Sequence, residues 1–184
     1  LAAWFARRGS GVRRLATTIA LPALLIAGAA VAVVFRGPLL GALGRSSDLT
    51  NRLDIWATVT ETAVQRPVLG WGWVSYWAPW VEPFDDLVVI KGVTYLQAHN
   101  AWLDVFLQLG VIGLVVVGLF VLTTVVRTWS FALDGPRDAA LVPLALLVAI
   151  LVQGLAESRL LIEIGWALLV LVAVRTATNR WDRP

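Results

Sequence analysis

The sequence predicts an all-α protein that crosses a membrane several times. Of its 184 residues, 59% are hydrophobic and only 15% are charged, and the mean hydropathy is +0.79. Soluble domains usually carry about 25% charged residues. Four apolar runs account for the difference: 15–35, 103–126, 139–156 and 160–174. We predict that these runs are membrane spans and that the polar stretch 36–102 is one long loop between the first two.

The four runs differ in how well their length suits a membrane span. Residues 15–35 contain 21 positions without a charge, which is enough to cross a hydrocarbon core of about 30 Å. The second run ends at Arg127, and the fourth has only 15 residues and contains Glu163. An ionisable residue inside an apolar run indicates function by default. Alternatively, Glu163 lies at the outer interface, one turn beyond Arg159.

The distribution of charge predicts which loops face the cytoplasm. Four crossings place residues 1–14, 127–138 and 175–184 on one side, with nine basic residues against three acidic ones. The other side carries six basic and nine acidic residues. The positive-inside rule assigns the first set to the cytoplasm. The long loop 36–102 and the tight turn 157–159 therefore face outward.

Composition also restricts the possible chemistry and partners. The chain has no cysteine and one histidine, which excludes disulfides and argues against a metal centre. The adjacent acids Asp85 and Asp86 are better explained as a solvated loop than as a metal site. The arginines stand at the ends of apolar runs rather than in a stripe, so we expect no nucleic-acid partner. The chain begins at Leu1 and lacks methionine, so we expect it to be the C-terminal part of a longer protein whose first spans are missing.

His99 lies where the polar loop gives way to an apolar helix. The next residue, Asn100, is a favoured N-cap for that helix. The positive end of the helix dipole disfavours imidazolium, so the ring should stay neutral near pH 7. A neutral imidazole can accept a proton, as a general base must. The alternative is an interfacial histidine that only binds the backbone.

A second helix is predicted within the loop, at residues 49–66. It should lie on the membrane surface with an apolar side formed by Leu53, Trp56, Ala63 and Val64. Asp48 or Thr50 should cap its start, and Pro67 should end it. Arg52 falls in its first turn, where a guanidinium beside free N–H groups suits a phosphate or pyrophosphate. The alternative is an ion pair between Arg52 and Asp48.

Six of the ten tryptophans lie in or beside the loop: Trp56, Trp71, Trp73, Trp77, Trp80 and Trp102. Such a concentration is typical of the aromatic belt at a membrane interface. The functional alternative is stacking of indole rings on sugar rings. Both interpretations can hold for one loop.

Three short motifs follow one another along the loop and the helix after it. They are Asn51-Arg52-Leu53-Asp54-Ile55-Trp56, then Pro67-Val68-Leu69-Gly70-Trp71-Gly72, then His99-Asn100-Ala101-Trp102-Leu103 with Gln108-Leu109-Gly110-Val111-Ile112-Gly113-Leu114. Their order, spacing and outward placement resemble the O-antigen ligase and Wzy-type polymerase family of bacterial envelope proteins. The resemblance covers about residues 45–120.

The resemblance implies a multi-pass helical fold of the GT-C type in the bacterial cytoplasmic (inner) membrane. It also implies inverting, metal-independent and cofactor-free transfer of a glycan from a polyprenyl-diphosphate-linked donor to a hydroxyl of a glycan or lipid-linked acceptor. His99 matches the histidine proposed to activate the acceptor, and Arg52 matches the arginine that holds the donor diphosphate. The other candidate substrate-binding residues are Asn100, Trp56, Trp71 and Trp73.

One part of the family's pattern has no clear match in this sequence. The family also uses an arginine on an earlier membrane helix, which we expect in the missing N-terminal part. Arg36 and Arg45 are weak substitutes.

Two other classes of function compete with a glycosyltransferase. A transporter or channel subunit, for example for small anions, should have ionisable residues at mid-membrane depth. The first three predicted spans have none there, which favours the enzyme. A scaffold with a degenerate site is the third possibility, and only an activity assay separates it from the first.

Overall fold

A computed structural model describes residues 51–134 and 140–177 of the chain. The described residues form α1 (Arg52–Ala63), β1 (Val89–Ile90), β2 (Val93–Thr94), α2 (Ala101–Asp134), α3 (Leu141–Gly154), a 3-10 turn (Arg159–Leu161) and α4 (Glu163–Ala177). This part of the chain is therefore mostly helical, as predicted. The predicted span 15–35, Arg36 and Arg45 lie outside the described residues.

Helix α2 stands where the second membrane span is predicted. Within it, residues 101–133 are long and apolar enough to cross a bilayer. Helices α3 and α4 stand at the next two predicted spans, but they have 14 and 15 residues. At about 1.5 Å per residue they are shorter than a hydrocarbon core of about 30 Å. Among the described helices only α2 meets the length of a span, so the four-span arrangement stays a prediction.

Helix α1 forms within the predicted range, and of the four residues assigned to its apolar side it buries Ala63. Its N-cap is Asn51, which has a φ of 64° and makes no capping bond through its side chain. The predicted caps, Asp48 and Thr50, lie outside the described residues. Leu53 and Val64, assigned to the apolar side, are 39% and 56% exposed. The residues that α1 buries are Ile55, Val59, Thr62 and Ala63.

Ile55 and Val59 of α1 are buried because the described part of the loop packs with α2 around one hydrophobic core. This core consists of Ile55, Val59, Ala63, Trp77, Phe84, Val88, Ala98 and Leu107. The loop also contains an antiparallel hairpin that pairs Val89 with Thr94 and Ile90 with Val93, an element the sequence analysis did not predict. Apolar side chains of α1 are removed from water by packing on this core. The described part of the loop, from residue 51 onward, is therefore a folded unit next to α2.

Helix α2 is interrupted at Gly110, whose φ of 62° and ψ of −161° are not helical. In a continuous helix, the N–H groups of Val111 and Ile112 would donate to the carbonyls four residues earlier. They donate instead to the carbonyls of Pro67 and Val68, at 2.8 and 3.2 Å. A segment of the loop thus replaces the preceding helical turn as the acceptor.

The carbonyl groups that the interruption leaves free are satisfied by the same segment. The carbonyl of Leu107 accepts from the N–H of Trp71 at 3.0 Å, and that of Gln108 accepts from the N–H of Gly72 at 2.9 Å. The buried side chain of Gln108 also accepts from the N–H of Val74 at 2.7 Å. Unpaired backbone groups away from water are costly. These bonds therefore fix the loop to α2.

A second hydrophobic core joins α2, α3 and α4. It contains Ala101, Val121, Leu147, Ile150, Leu160, Leu169 and Val172. A Cβ built at Gly154 would lie 3.7 Å from the Cβ of Ala101, so the last residue of α3 is next to the first residue of α2. The turn that follows α3 therefore lies beside the junction between the loop and α2.

We predict that Gly110→Ala and Gly70→Ala each lower the free energy of unfolding by more than about 2 kcal/mol. An added Cβ would overlap the carbonyl of Val68 in the first variant and the backbone of Gln108 in the second, and both glycines have positive φ. Gly118→Ala is the matched control in α2, because a Cβ there meets nothing within 4 Å. It should be neutral or slightly stabilising. Thermal unfolding of the full-length protein in detergent measures the difference, and equal behaviour of all three variants would contradict this account.

Candidate functional site

His99 and Asn100 form the junction between the loop and α2. The side-chain oxygen of Asn100 accepts from the N–H groups of Trp102 and Leu103 at 3.1 and 3.2 Å, which confirms the predicted N-cap. His99, just before the cap, has a φ of 51°. Because the oxygen of Asn100 holds the helix start, it fixes the backbone beside His99, and substrate contact by this residue stays a prediction.

The imidazole of His99 contacts a carboxylate from the other end of the described chain. Its Nδ1 lies 3.1 Å from Oε2 of Glu157. The amide nitrogen of Gln97 lies 3.5 Å from the same ring nitrogen. The ring of Tyr95 meets the imidazole edge-on, with ring centres 6.1 Å apart. The alternative of a histidine that binds only backbone is therefore wrong.

Arg52, the first residue of α1, contacts the other oxygen of the same carboxylate. Its Nη2 lies 3.0 Å from Oε1 of Glu157. The side chains of Arg52, His99 and Glu157 are 26%, 23% and 30% exposed. The two main residues predicted for the site thus meet at one acid, and all three remain open to a ligand.

We call Arg52, His99 and Glu157 the charged cluster. An ionised carboxylate only accepts hydrogen bonds, so Nδ1 of His99 must carry the hydrogen in its bond to Glu157. Within the described residues, both close polar contacts of the His99 ring involve Nδ1. Of these, only the contact with Glu157 is then a hydrogen bond, because the amide nitrogen of Gln97 also only donates. In the neutral ring, Nε2 then has the free lone pair. This arrangement provides a proton acceptor next to a guanidinium.

The turn after α3 is held against the loop by a second acid. Asp104 is 5% exposed and accepts from Nε1 of Trp77 at 2.8 Å and from the N–H of Ala98 at 3.1 Å. The hydroxyl of Ser158 also donates to it. Because Ala98 precedes His99 and Ser158 follows Glu157, Asp104 positions both sides of the contact between His99 and Glu157.

Two of the tryptophans predicted to bind substrate also make structural contacts, and substrate binding by their rings stays a prediction. Nε1 of Trp56 donates to the carbonyl of Ala98, and Nε1 of Trp71 donates to that of Thr62, both at 2.9 Å. The guanidinium of Arg66 lies 4.0 Å from the ring centre of Trp71. These contacts hold α1 to the loop. A further tryptophan of the loop, Trp77, is 1% exposed and thus lies in the core rather than at an interface.

Trp73, the third predicted tryptophan, is 43% exposed. With Leu109, Val117 and Trp166 it lines an apolar cavity of about 340 Å³. The contacts of the charged cluster described above do not include this side chain. Substrate contact by Trp73 stays a prediction.

Sequence reasoning missed the part of Glu157 in the site. Arg52 and Glu157 are 105 positions apart, and His99 and Glu157 are 58 apart, so no local pattern connects them. The available signal was topology, because alternating loops place turn 157–159 on the same side as loop 36–102. Asp104 and the bond from Asn51 to the hydroxyl of Tyr95, at 3.3 Å, were also missed.

The acids of the loop show no clustering typical of a metal site. Among residues 51–134 and 140–177, there is no group of three or more His, Cys, Asp or Glu that could hold a metal ion. Asp85 and Asp86 are both exposed.

The fold and the charged cluster define a class of helical protein with a long apolar helix and a polar site on the loop beside it. A protein-family model described as O-antigen ligase matches residues 1–118. The chain belongs to this family, which is membrane-associated, and the match includes Arg52 and His99. Glu157 lies beyond the matched residues.

One curated relative is the "Exopolysaccharide production protein ExoQ" of Rhizobium meliloti (strain 1021). It is 29% identical over 119 residues, which are 60% of this chain and 27% of the relative. The chain thus matches about a quarter of that protein's length. No solved structure matches the chain.

We predict that Asp104→Asn loosens the loop. An amide has one acceptor oxygen where the carboxylate has two, so a buried N–H of Trp77 or Ala98 loses its acceptor, at a cost of about 1–3 kcal/mol. Trypsin should then cut faster after the exposed Lys91. Asp54→Asn, at an exposed position of α1, is the control and should leave cleavage unchanged. Equal cleavage of both variants would contradict the proposed role of Asp104.

Proposed function

We propose that the full-length protein transfers a glycan from a polyprenyl-diphosphate-linked donor to an acceptor hydroxyl. It would act as a ligase or polymerase of cell-surface polysaccharide. The observation that carries the proposal is the charged cluster, in which Arg52 and His99 meet at one carboxylate. Membership of the O-antigen ligase family and the name of the relative ExoQ support polysaccharide as the substrate class.

Arg52 is suited to the diphosphate of the donor. Its guanidinium presents several donors in a planar fork that matches phosphate oxygens. As the first residue of α1, it stands beside free backbone N–H groups and the positive end of the helix dipole. Both features stabilise the negative charge that grows on the diphosphate as it leaves. The transfer needs no metal if this charge is met by fixed cations.

His99 is suited to the acceptor. Nε2 takes the proton of the acceptor hydroxyl while that oxygen bonds to the anomeric carbon. The bond from the anomeric carbon to the diphosphate breaks, and its electron pair remains on the diphosphate. Attack from the face opposite the leaving group inverts the anomeric centre. The imidazolium that forms still donates a hydrogen bond from Nδ1 to Glu157.

We further propose that the charged cluster faces the periplasm or cell exterior of a bacterial inner membrane, with four spans in this chain. The lipid part of the donor would lie in the bilayer. The sequence from 105 to 126 contains no ionisable residue, and His99, where the charged cluster meets α2, lies at the N-terminal end of that helix rather than in its middle. This placement supports an enzyme at the membrane surface over a transporter.

We expect Arg52→Ala to raise the KM for the lipid-linked donor at least about tenfold. Arg52→Lys should restore part of the loss, because an ammonium supplies the charge but not the planar fork. Lys91→Ala removes an exposed positive charge from the same loop and is the matched control. Transfer assays in membranes of the full-length protein measure these values. An unchanged donor KM in Arg52→Ala would exclude Arg52 from the donor site.

We expect His99→Ala to lower kcat by about 10²–10⁴-fold while expression and membrane insertion remain normal. His99→Gln is the sharper variant, since Gln keeps hydrogen-bonding groups but takes up no proton near neutral pH. It should be nearly as inactive as His99→Ala and should still bind donor. An active His99→Gln protein would leave His99 as a loop anchor and end its assignment as the base.

A further inference from the structure

We propose that Glu157 is the positioning residue of the site. It favours proton transfer to His99 and opposes binding of the donor to Arg52. It orients His99 as a base, and it occupies Arg52 until the donor diphosphate replaces it. This inference rests on the proposed function and concerns a residue beyond the part that matches the family. Its evidence is the pair of contacts at 3.0 and 3.1 Å.

The first effect follows from the two oxygens of the carboxylate. Oε1 accepts from Arg52, and Oε2 accepts from Nδ1 of His99. Because both oxygens accept, the ring is held in the tautomer with its hydrogen on Nδ1 and its lone pair on Nε2. When Nε2 gains the acceptor's proton, the negative charge of Glu157 also stabilises the imidazolium.

The second effect follows from competition of two anions for one guanidinium. In this structure Nη2 of Arg52 binds Glu157, while the proposed mechanism requires that guanidinium for the diphosphate. The apparent affinity for the donor is reduced by the fraction of time that Arg52 is occupied. Since both side chains are partly exposed, a diphosphate with more negative charge can displace the carboxylate from Arg52 and leave it on His99.

The position of Glu157 depends on two contacts that a change of its side chain leaves in place. Its neighbour Ser158 donates to the buried Asp104, and the N–H of Glu157 bonds to the carbonyl of Gln153 at 2.8 Å. Both contacts are independent of the carboxylate of Glu157. Substitutions at Glu157 therefore test the charged cluster rather than the fold of the turn.

Glu157→Gln is the decisive variant because it keeps the shape of the side chain. Arg52 has only donors, so the amide oxygen would face it and the amide N–H₂ would face Nδ1 of His99. That contact forces the hydrogen of the ring onto Nε2, where it blocks the base. We therefore expect kcat to fall about 10–100-fold, and to be no higher than in Glu157→Ala. A role in holding the turn alone predicts the reverse order, with Gln tolerated and Ala impaired.

Binding without turnover gives the second measurement. Polyprenyl diphosphate without a glycan serves as the probe, with the full-length protein in detergent. A neutral amide competes weakly for Arg52, so Glu157→Gln should bind the probe about three- to tenfold tighter. Glu61→Gln, at an exposed position of α1, removes the same charge from the loop and should change neither kcat nor probe affinity.

The expected result is a split, with lower kcat and tighter probe binding in Glu157→Gln. A kcat like that of the unmodified protein, or probe binding that is unchanged or weaker, would overturn the proposal. If Arg52→Ala and His99→Ala are inactive in the same assay, the proposed function survives that outcome. Conversely, the full-length protein could transfer no glycan while Glu157→Gln still binds the probe more tightly. That result would count against the proposed function but would support the competition of Glu157 with the donor for Arg52.

Discussion

Four backbone hydrogen bonds join the loop to α2 on the two sides of Gly110. Helix α1, which begins with Arg52, is followed almost directly by the segment that makes these bonds, while His99 stands just before α2. The bonds therefore fix the position of Arg52 relative to His99, although the two residues belong to different parts of the fold. The glycines at 70 and 110 permit the approach, because a side chain at either would overlap the facing backbone. The geometry of the site is thus set by main-chain pairing before any charged group is considered.

The charged cluster holds one carboxylate between a cation and an imidazole. Its members are 23–30% exposed, and ion pairs so open to water contribute only about 0–1 kcal/mol to stability. An interaction of this strength does little for the fold, but a ligand exchanges it at low cost. The buried Asp104, with three donors around it, has the opposite character and supports the backbone. One acid therefore maintains the structure, and the other is available for ligand exchange.

Residues whose role depends on neighbours in sequence were predictable. The rules of helix capping predicted Asn100 as an N-cap. The spacing of apolar residues predicted helix α1, and with it the position of Arg52 in the first turn. The burial of Ile55 and Val59 in α1 was not predicted, because it depends on a core formed with distant residues such as Phe84 and Leu107. Glu157 was missed as a site residue because its partners are 105 and 58 positions away. Local patterns carry no information about that pairing, which arises only when α3 packs beside α2.

The contact between Glu157 and His99 also bears on the membrane topology. His99 precedes the first residue of α2, and Glu157 follows the last turn of α3. The C-terminal end of α3 therefore lies near the N-terminal end of α2. If α2 crosses a bilayer, the intervening chain must cross it again in the opposite direction to make this contact. Fourteen residues of α3 span about 21 Å as a helix, and a short helix is accommodated when the bilayer thins locally around it. The short length of α3 is therefore compatible with a second crossing, which the contact at the loop side requires only if α2 itself crosses the bilayer.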